Sequence, residues 1–597
     1  MDTLTWVLVG ILGYWLVLIT LRRNGMLPEY VGVQGPIITL HTRRGREFLD
    51  RMSRPKRFWR AWGNFGIGIA LVVMVGSLVF VILGAISSLY SPEPSAVTEP
   101  RNVVVIPGVN DFLPLSVAPE IVFGLVVGLV VHEGGHGLLC RVEDIDIESM
   151  GLALIAFIPL GAFVEPDHES QQRTDRGART RMFAAGVTNN FAVTIVAFLL
   201  LFGPVVGAIA IAPGAAVGGA FPGSAAADAG IGVGDRITAI DGTPVPDNDA
   251  LSAVLSENDN STVEVTIDGD RTLTVERSLL VVGAPIGGGP AGLETNTTIT
   301  AINDTPIHTE AGFNDALVDR EVVRVSFEAD DGETHETTFP AGAYVPQVLE
   351  DRPLADAGVP TDAEIVIVGV DDERTTTREQ LSTFLGNTDP GQEITVRAYV
   401  DGEPGTYDVV LDEHPSGHGA MGVLIADGVS GLTVSDFGTQ TYPSDLYLTL
   451  LGGGEDDLAL GPLTTDSFFG KVVIALFLPI AGEVGMLPFN FPGFTDFITN
   501  FYTVEGPLSI LGATGVFLLA NALFWTAWIN LNLGFFNCIP AFPLDGGHIL
   551  RASTEAITSR LPTTKAYQLT KTVTIGVGLT MLLSLILMIF GQGLLAG

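Results

Sequence analysis

The sequence predicts an α-helical, polytopic membrane protein with about six transmembrane helices, one re-entrant segment and an inserted α+β module. Three observations lead to this fold class. Hydrophobic residues make up 47% of the 597 residues, and the mean hydropathy is +0.41. Six apolar segments each approach or exceed the ~20 helical residues that cross a hydrocarbon core. A long acidic region separates the fourth segment from the fifth.

The six apolar segments alternate with loops whose basic residues orient the chain. Ten of the 30 Lys and Arg residues lie between Arg22 and Arg60, so this loop is expected in the cytoplasm. Alternation then places Ser87–Glu120 outside, Arg141–Arg181 inside, and the acidic region outside. The first segment lacks the basic flank and cleavage site of a signal peptide, which predicts an uncleaved anchor. The segments cover residues 4–21, 64–90, 119–140, 181–212, 508–536 and 573–592.

A further apolar stretch, Val472–Phe489, allows two interpretations. If it spans the membrane, the later topology inverts and the loop 490–507 falls inside. That loop has no Lys or Arg and is rich in Phe, Tyr, Pro and Gly. We therefore favour a re-entrant or interfacial segment, which leaves both termini outside.

The acidic region carries almost the whole net charge of the chain. Residues 213–470 contain 45 Asp and Glu, nine Arg and no Lys, a balance of −36 out of −37. Such a surface stays hydrated in concentrated salt, and the scarcity of Lys resembles proteins of salt-loving archaea. Nucleic-acid binding is not expected, because phosphate contacts need a basic surface.

The acidic region contains a threefold repeat. Ala-Gly pairs at Ala229, Ala291 and Ala357 are spaced by 62 and then 66 residues. Each pair precedes a β-rich stretch with an apolar residue in register and then a helical run. The register residues are Ile240, Ile302 and Val368, and the helical runs are Asn248–Leu255, Ala311–Leu317 and Arg378–Leu385.

The first repeat, from Pro222-Gly-Ser-Ala-Ala-Ala-Asp-Ala-Gly to Ile237, resembles a PDZ domain of the membrane-protease type. The resemblance implies small modules whose grooves accept peptide termini. For the second and third repeats, a role as spacers or filters stays open. The predicted domains are 1–92, a core at 119–212, an acidic module at 213–440 with repeats at about 213–280, 281–345 and 346–426, membrane segments at 470–552, and a final helix at 573–597.

The clearest chemical motif lies at the end of the third apolar segment. His132 and His136 are four residues apart, so on a helix both imidazoles face one side and can bind one Zn²⁺. Glu133 lies beside them, where a carboxylate can take a proton from water. An ionisable cluster in an apolar helix is costly, which favours function over a buried polar cluster.

A catalytic zinc site usually has three protein ligands, so a third is expected elsewhere. Asp545 and His548, after the segment 508–536, are both suitable by chemistry. Cys140 also follows His136 by four residues, but a small buried thiol with no metal is the simpler interpretation. With only Cys140 and Cys538, no disulfide framework is expected.

Two other motifs accompany the histidines. Ala185-Gly186 is followed by Asn190, whose amide can donate to a substrate carbonyl or to a developing oxyanion, or else join a helix–helix hydrogen bond. Gly161-Ala-Phe-Val164 predicts a short strand or loop near the histidines, with an edge that can pair with an unwound substrate.

These motifs together resemble the site-2 protease family of intramembrane zinc metalloproteases. The resemblance covers residues 119–212 and 508–552, with the PDZ-like insert between. It implies that His132, His136 and Asp545 bind one Zn²⁺, that Glu133 is the general base, and that Asn190 holds the substrate or its oxyanion. Asn189 receives no role. Three PDZ-like copies are more than the family usually has.

The resemblance also implies partners and a location. The enzyme would be a multi-pass protein of the cell membrane with its PDZ-like module outside the cytoplasm, cutting single-span membrane proteins already trimmed by another protease. The main alternative is a degenerate, membrane-tethered PDZ scaffold. A zinc transporter predicts more ionisable residues along several spans, and a soluble-type protease on an anchor predicts a polar motif helix; neither fits the sequence.

Overall fold

The computed structural model describes residues 3–28, 30–90, 106–110, 112–156, 158–329, 332–454, 458–460, 463–562 and 565–595. The chain divides into two compact units. Unit 1 comprises Met1–Ala210, Asp445–Thr499 and Thr503–Gly597, and unit 2 comprises Ile211–Ser444 and Asn500–Tyr502. The second unit is therefore an insertion in the first, as the acidic region led us to expect.

The first part of unit 1 is helical, with two β-hairpins. Helix α6 begins where the Asp175 carboxylate accepts a hydrogen bond from Ala178 N at 2.9 Å, a typical N-cap. Helix α4 has Pro119 in its first turn, where a missing N–H costs nothing. The elements are α1 (Thr3–Arg23), β1 (Val31–Gln34), β2 (Ile37–His41), α2 (Arg43–Met52), α3 (Lys56–Tyr90), α4 (Ala118–Val142), β3 (Ile147–Ile155), β4 (Ile158–Pro166), α5 (His168–Arg173), α6 (Arg176–Leu200) and β5 (Ile209–Ile211).

Strands β1 to β4 form one antiparallel sheet in the order β1-β2-β3-β4. Strand β2 lies in the basic loop and β3 in the loop after α4, and they pair from Ile38 with Leu154 to His41 with Gly151. The two loops were both predicted to be cytoplasmic, and their pairing agrees with a location on the same side of the membrane. Strand β4, which contains the predicted Gly161–Val164 segment, is an edge strand.

Unit 2 contains three consecutive β-modules. The first has β6 (Ala215–Ala220), α7 (Ala225–Asp228), β7 (Arg236–Ile240), β8 (Thr243–Pro244), α8 (Asn248–Ser256), β9 (Thr262–Ile267) and β10 (Arg271–Glu276). The second has β11 (Leu279–Gly283), β12 (Thr298–Ile302), β13 (Thr305–Pro306), α9 (Glu310–Leu317), β14 (Val322–Glu328) and β15 (Thr334–Pro340). The third has β16 (Ala343–Val345), β17 (Gln347–Val348), α10 (Pro353–Asp356), β18 (Ile365–Val370), β19 (Glu373–Arg374), α11 (Arg378–Gly386), β20 (Glu393–Val400) and β21 (Glu403–Val410).

The predicted repeat corresponds to these modules. The three helical runs are helices α8, α9 and α11. The register residues Ile240, Ile302 and Val368 are buried in β7, β12 and β18. Each module therefore buries its own apolar core, as the repeated pattern requires.

One segment completes all three modules, a feature that the sequence did not predict. It contains β22 (Asp412–Glu413), β23 (Gly419–Ala420), β24 (Val423–Leu424), β25 (Thr433–Ser435) and β26 (Thr439–Thr441). Strand β24 pairs with β17 of the third module, β25 with β11 of the second, and β26 with β6 of the first. The modules are thus nested. The third module, which begins last, receives its closing strand first, and the first module receives its closing strand last.

The remainder of unit 1 returns to helices. Its elements are α12 (Ser444–Leu450), β27 (Ala459–Leu460), β28 (Leu463–Thr464), α13 (Phe468–Phe477), β29 (Tyr502–Val504), α14 (Gly512–Asn537), α15 (Asp545–Thr558) and α16 (Ala566–Leu595). Helices α4, α6 and α14 pack against one another, and α3 packs against α6 and α16.

Within the described residues, five helical runs are long and apolar enough to cross a membrane: Lys56–Tyr90, Leu115–Val142, Arg176–Ala208, Pro507–Asn537 and Ala566–Gly591. The chain is therefore a multi-pass membrane protein. The predicted segment 4–21 forms α1, but several of its side chains lie outside the described ones, so the count of six stays a prediction. Residues 91–105 of the loop 87–120 also lie outside the described residues.

The apolar stretch Val472–Phe489 does not form a long helix. Its helical part ends at Ile480, and Phe468–Ile480 covers about 20 Å at about 1.5 Å per residue, short of a ~30 Å hydrocarbon core. Trp528 Nε1 of α14 donates to Leu476 O at 3.1 Å, and Asn521 of α14 both accepts from and donates to the backbone of Phe494. Polar side chains of α14 hold this segment, which favours the re-entrant interpretation.

Candidate metal centre

Helix α4 places both motif histidines on one face. The Nε2 atoms of His132 and His136 lie 3.2 Å apart, and the two rings meet edge to face with centroids 4.7 Å apart. His132 is 6% exposed although it lies in an apolar span. Two imidazole nitrogens thus converge where water is scarce.

Asp545 brings a carboxylate oxygen to the same point. Its Oδ2 lies 3.1 Å from His132 Nε2 and 3.2 Å from His136 Nε2. Asp545 is the first residue of α15, and Gly546 lets this helix start close to the preceding turn. A Cβ on Gly546 would lie 2.3 Å from Cys538 O, so a larger residue would push Asp545 out of place.

The three atoms fit the ligand set of a zinc ion. Tetrahedral zinc with bonds of about 2.0–2.1 Å separates its ligand atoms by about 3.3 Å, close to the 3.1–3.2 Å found here. Within the described ranges this is the one cluster of three or more His, Cys, Asp or Glu with such geometry. Asp545 Oδ2 is buried and has no hydrogen-bond donor among the described residues, so a cation would satisfy it.

The competing ligand candidates lie elsewhere. The His548 ring stacks on Phe183 with centroids 4.2 Å apart and lies outside the cluster. Cys140 is a buried free thiol in an apolar core, and Cys538 is also buried and free. His132, His136 and Asp545 are thus the residues that the structure brings together.

Glu133, next to His132 on α4, contacts the edge strand β4. Its Oε2 accepts a hydrogen bond from Val164 N at 3.0 Å. Glu133 and Val164 both line a largely apolar cavity of about 580 Å³ between α2, α4 and the four-stranded sheet. The Gly161–Val164 segment, predicted to approach the site, therefore contacts it through Glu133.

Helix α6 contacts the Nδ1 side of both histidine rings. His136 Nδ1 lies 2.8 Å from Met182 O, and His132 Nδ1 lies 3.4 Å from the amide nitrogen of Asn190. Gly186 lies between them on the same face. A Cβ there would come within 2.9 Å of both rings, so the Ala-Gly-x-x-x-Asn motif allows the rings to touch the helix.

Two residues near the centre received no role from the sequence. Asn189 accepts from Trp62 Nε1 at 2.9 Å and lines the cavity beside Glu133, tying α3 to α6. Glu143, buried at the end of α4, forms ion pairs with Arg181 at 2.8 Å and with Arg60 at 3.2 Å. The sequence feature that could have identified Glu143 is a carboxylate directly after an apolar span, together with arginines at the ends of two neighbouring spans.

The sequence of the chain matches a known protein family and several known proteins. A sequence model described as peptidase family M50 matches residues 120–583, more than half of the chain. An uncharacterized protein of Methanocaldococcus jannaschii is 28% identical over 201 residues, covering 34% of this chain and 52% of that protein. Regulator of sigma-E protease RseP of Escherichia coli is 24% identical over 472 residues, covering 73% of this chain and 90% of that protein.

A third relative is zinc metalloprotease RasP of Oceanobacillus iheyensis. It is 25% identical over 219 residues, covering 36% of this chain and 44% of that protein. The chain thus spans about half of the M. jannaschii protein and of RasP, and most of RseP. The match to RseP extends across the acidic insertion as well as the membrane helices, since 472 residues exceed what unit 1 alone would supply.

Proposed function

The chain belongs to peptidase family M50, the site-2 protease family of membrane metalloproteases, and from this membership we propose that it is an intramembrane zinc metalloprotease. It would hydrolyse peptide bonds within or near the transmembrane segments of membrane-anchored proteins. One observation carries the proposal: two imidazole nitrogens and a carboxylate oxygen converge at 3.1–3.2 Å inside the core helices of unit 1, next to Glu133.

His132, His136 and Asp545 would hold one Zn²⁺. The ion supplies Lewis acidity when bound, polarising the scissile carbonyl and making water a stronger acid. Because Asp545 contributes a negative charge, the centre carries less net positive charge than one built from three neutral imidazoles.

Glu133 would act as the general base. A carboxylate in this position takes the proton of the attacking water and then passes it to the leaving amine. The hydrogen bond from Val164 N fixes one carboxylate oxygen, which holds the side chain in one orientation at the wall of the cavity. A fixed base loses less entropy when the substrate carbonyl arrives.

The substrate must offer an unwound backbone. A transmembrane helix has its amides satisfied internally, so a segment has to open before a carbonyl can be attacked. The free edge of β4 could pair with this opened segment by strand addition, next to Glu133. The adjoining cavity is lined mainly by apolar side chains and would receive those of the substrate.

Unit 2 would select the substrates. Its three nested modules would act as PDZ-like filters or peptide sensors outside the cytoplasm, and would favour proteins whose bulky outer domain another protease has already removed. Free peptide termini would be the ligands of such modules. Exclusion by size needs no peptide groove, so the filter and sensor roles are separate proposals.

The alternative is a catalytically degenerate, membrane-tethered scaffold that binds extended peptides. It requires that at least one ligand or the base be lost or misplaced. The convergence of His132, His136 and Asp545, with Glu133 oriented beside them, argues against it.

The decisive experiment compares the wild type with Glu133→Gln. Both full-length proteins are purified in high salt, their zinc is quantified, and each is incubated with a panel of single-span membrane substrates. We expect about one zinc per chain in both and cleavage within the span by the wild type alone. Glu148→Gln, which changes an exposed carboxylate on β3, is the matched control and should cleave normally. Zinc-free wild type, or cleavage by Glu133→Gln at the wild-type rate, would refute the proposal.

A further inference from the structure

Both candidate zinc-binding histidines present Nδ1 to helix α6. His136 Nδ1 lies 2.8 Å from the carbonyl oxygen of Met182. A carbonyl can only accept, so this ring carries its proton on Nδ1. The lone pair on Nε2 then points toward Asp545 and His132, which is the tautomer that a metal ligand needs.

The second ring needs the same arrangement, and Asn190 is placed to provide it. Its amide lies 3.4 Å from His132 Nδ1, and the side chain is fully buried. In the orientation shown, the nitrogen of the amide faces the ring, while its Oδ1 is buried and has no partner among the described residues. A half-turn of the amide exchanges the two atoms within almost the same volume, and presents an acceptor to His132 Nδ1.

We propose that Asn190 is a positioning residue for the metal centre, a proposal that rests on the zinc site described above. Its Oδ1 accepts the proton of His132 Nδ1 and thereby keeps His132 Nε2 unprotonated. Met182 and Asn190 thus do the same task for the two histidines, one by a backbone carbonyl and the other by an amide. Partners of this kind commonly change metal affinity 10- to 100-fold.

The position of Asn190 distinguishes this role from contact with substrate. The cavity beside Glu133 is lined by Asn189, the preceding residue, and Asn190 points instead at the back of His132. Its backbone carbonyl accepts from Thr194 Oγ1 at 3.0 Å, and Thr194 Oγ1 also lies 3.3 Å from Ala527 O of α14. This contact fixes the turn of α6 that carries Asn190 against a neighbouring helix.

A measurement of metal affinity distinguishes positioning of His132 by Asn190 from contact of Asn190 with the substrate. The full-length wild type, Asn190→Leu and Asn190→Asp are loaded with Zn²⁺ for chelator competition, and with Co²⁺ for visible absorption, which reports tetrahedral coordination. We expect Asn190→Leu to bind Zn²⁺ 10- to 100-fold more weakly and to lose intensity in the Co²⁺ bands, and Asn190→Asp, which retains an acceptor, to stay within a few-fold of the wild type. Asn532→Leu is the control, because that amide donates to Trp528 O of its own helix, and it should bind normally.

The outcomes are distinct. If Asn190→Leu binds Zn²⁺ as tightly as the wild type while its turnover falls, Asn190 acts on the substrate and the positioning role is wrong. If Asn190→Leu does not fold, Asn190→Ala carries the same prediction and the same refutation. Absence of zinc from the wild type would overturn the proposed function and this inference together, whereas wild-type affinity in the variants overturns the inference alone.

Discussion

The backbone N–H of Val164 donates a hydrogen bond to the Glu133 carboxylate, so the edge of the β1–β4 sheet is tied to the candidate general base. The same edge is the one that a substrate strand would use. Orientation of the proposed base and docking of the proposed substrate would therefore depend on a single strand.

Replacing Val164 by proline tests this connection. Proline lacks the N–H, and an edge strand tolerates it better than a central one. We expect Val164→Pro to lower turnover by about 10- to 100-fold, since a catalytic group misplaced by 1 Å can cost about 100-fold, while zinc content stays at the wild-type level. Val164→Ala retains the N–H and is the control. Equal activity of the proline and wild-type proteins in a single-turnover cleavage assay would show that the hydrogen bond has no catalytic role.

Gly186 sets how closely the histidines approach α6. A Cβ at this position would lie 2.8 Å from His136 Nε2 and 2.9 Å from His132 Cε1. Gly186→Ala should therefore move the rings and weaken zinc binding by 10-fold or more, measured by chelator competition. Gly134→Ala, on the histidine helix itself, meets nothing within 4 Å and should bind zinc normally. A tight zinc complex in Gly186→Ala would mean that the rings can shift without loss of the centre.

The sequence predicted those parts of the centre that depend on local periodicity. His132, Glu133 and His136 follow from helical spacing within an apolar run, because 3.6 residues per turn bring positions four apart together. The choice of Asp545 over His548 needed the family resemblance. Nothing in the spacing of residues so distant along the chain decides which of them faces α4, and only the packing of α15 against the turn at Cys538 does so.

The same distinction applies to unit 2. The repeat predicted three modules and their helices, because each copy has its own buried residues at a fixed period. The closing segment was not predicted, because its strands β24, β25 and β26 are short and pair with residues far away in the sequence. Strand pairing depends on residues that are distant in the sequence, and strands of two or three residues are too short to show a periodic pattern.

The closing segment also carries a buried ion pair that joins two modules. Asp436, between β25 and β26, pairs with Arg277, and both side chains are at most 2% exposed. Arg277 also donates to Leu255 O at 3.0 Å at the end of α8, while Asp436 accepts from Glu310 N at 2.7 Å at the start of α9. One carboxylate therefore connects the first module to the second.

Asp436→Asn should destabilise both modules. Removing one partner of a buried pair leaves an uncompensated charge and costs about 3–5 kcal/mol. We expect faster hydrogen exchange in β6–β10 and in β11–β15 together, with normal zinc content. The exposed pair Arg378–Asp427 provides the control, because Asp427→Asn should cost at most about 1 kcal/mol. Faster exchange confined to one module would show that the pair does not couple them.

Glu310 makes the stability of this junction depend on pH. Burial raises the pKa of its carboxyl, and the negative charge of Asp436 acts in the same direction. The folded state therefore holds this proton more tightly than the unfolded state does. The contribution of this proton to the stability of the folded state is full below the ordinary pKa of glutamate and is lost as the pH rises through the raised value.

Urea unfolding of the full-length protein should show a smaller loss of stability with rising pH in Glu310→Gln than in the wild type, since the amide has no proton to lose. Glu379→Gln, an exposed position at the corresponding start of α11, should leave the wild-type pH dependence unchanged. The same slope in wild type and Glu310→Gln would assign the pH dependence to other carboxylates.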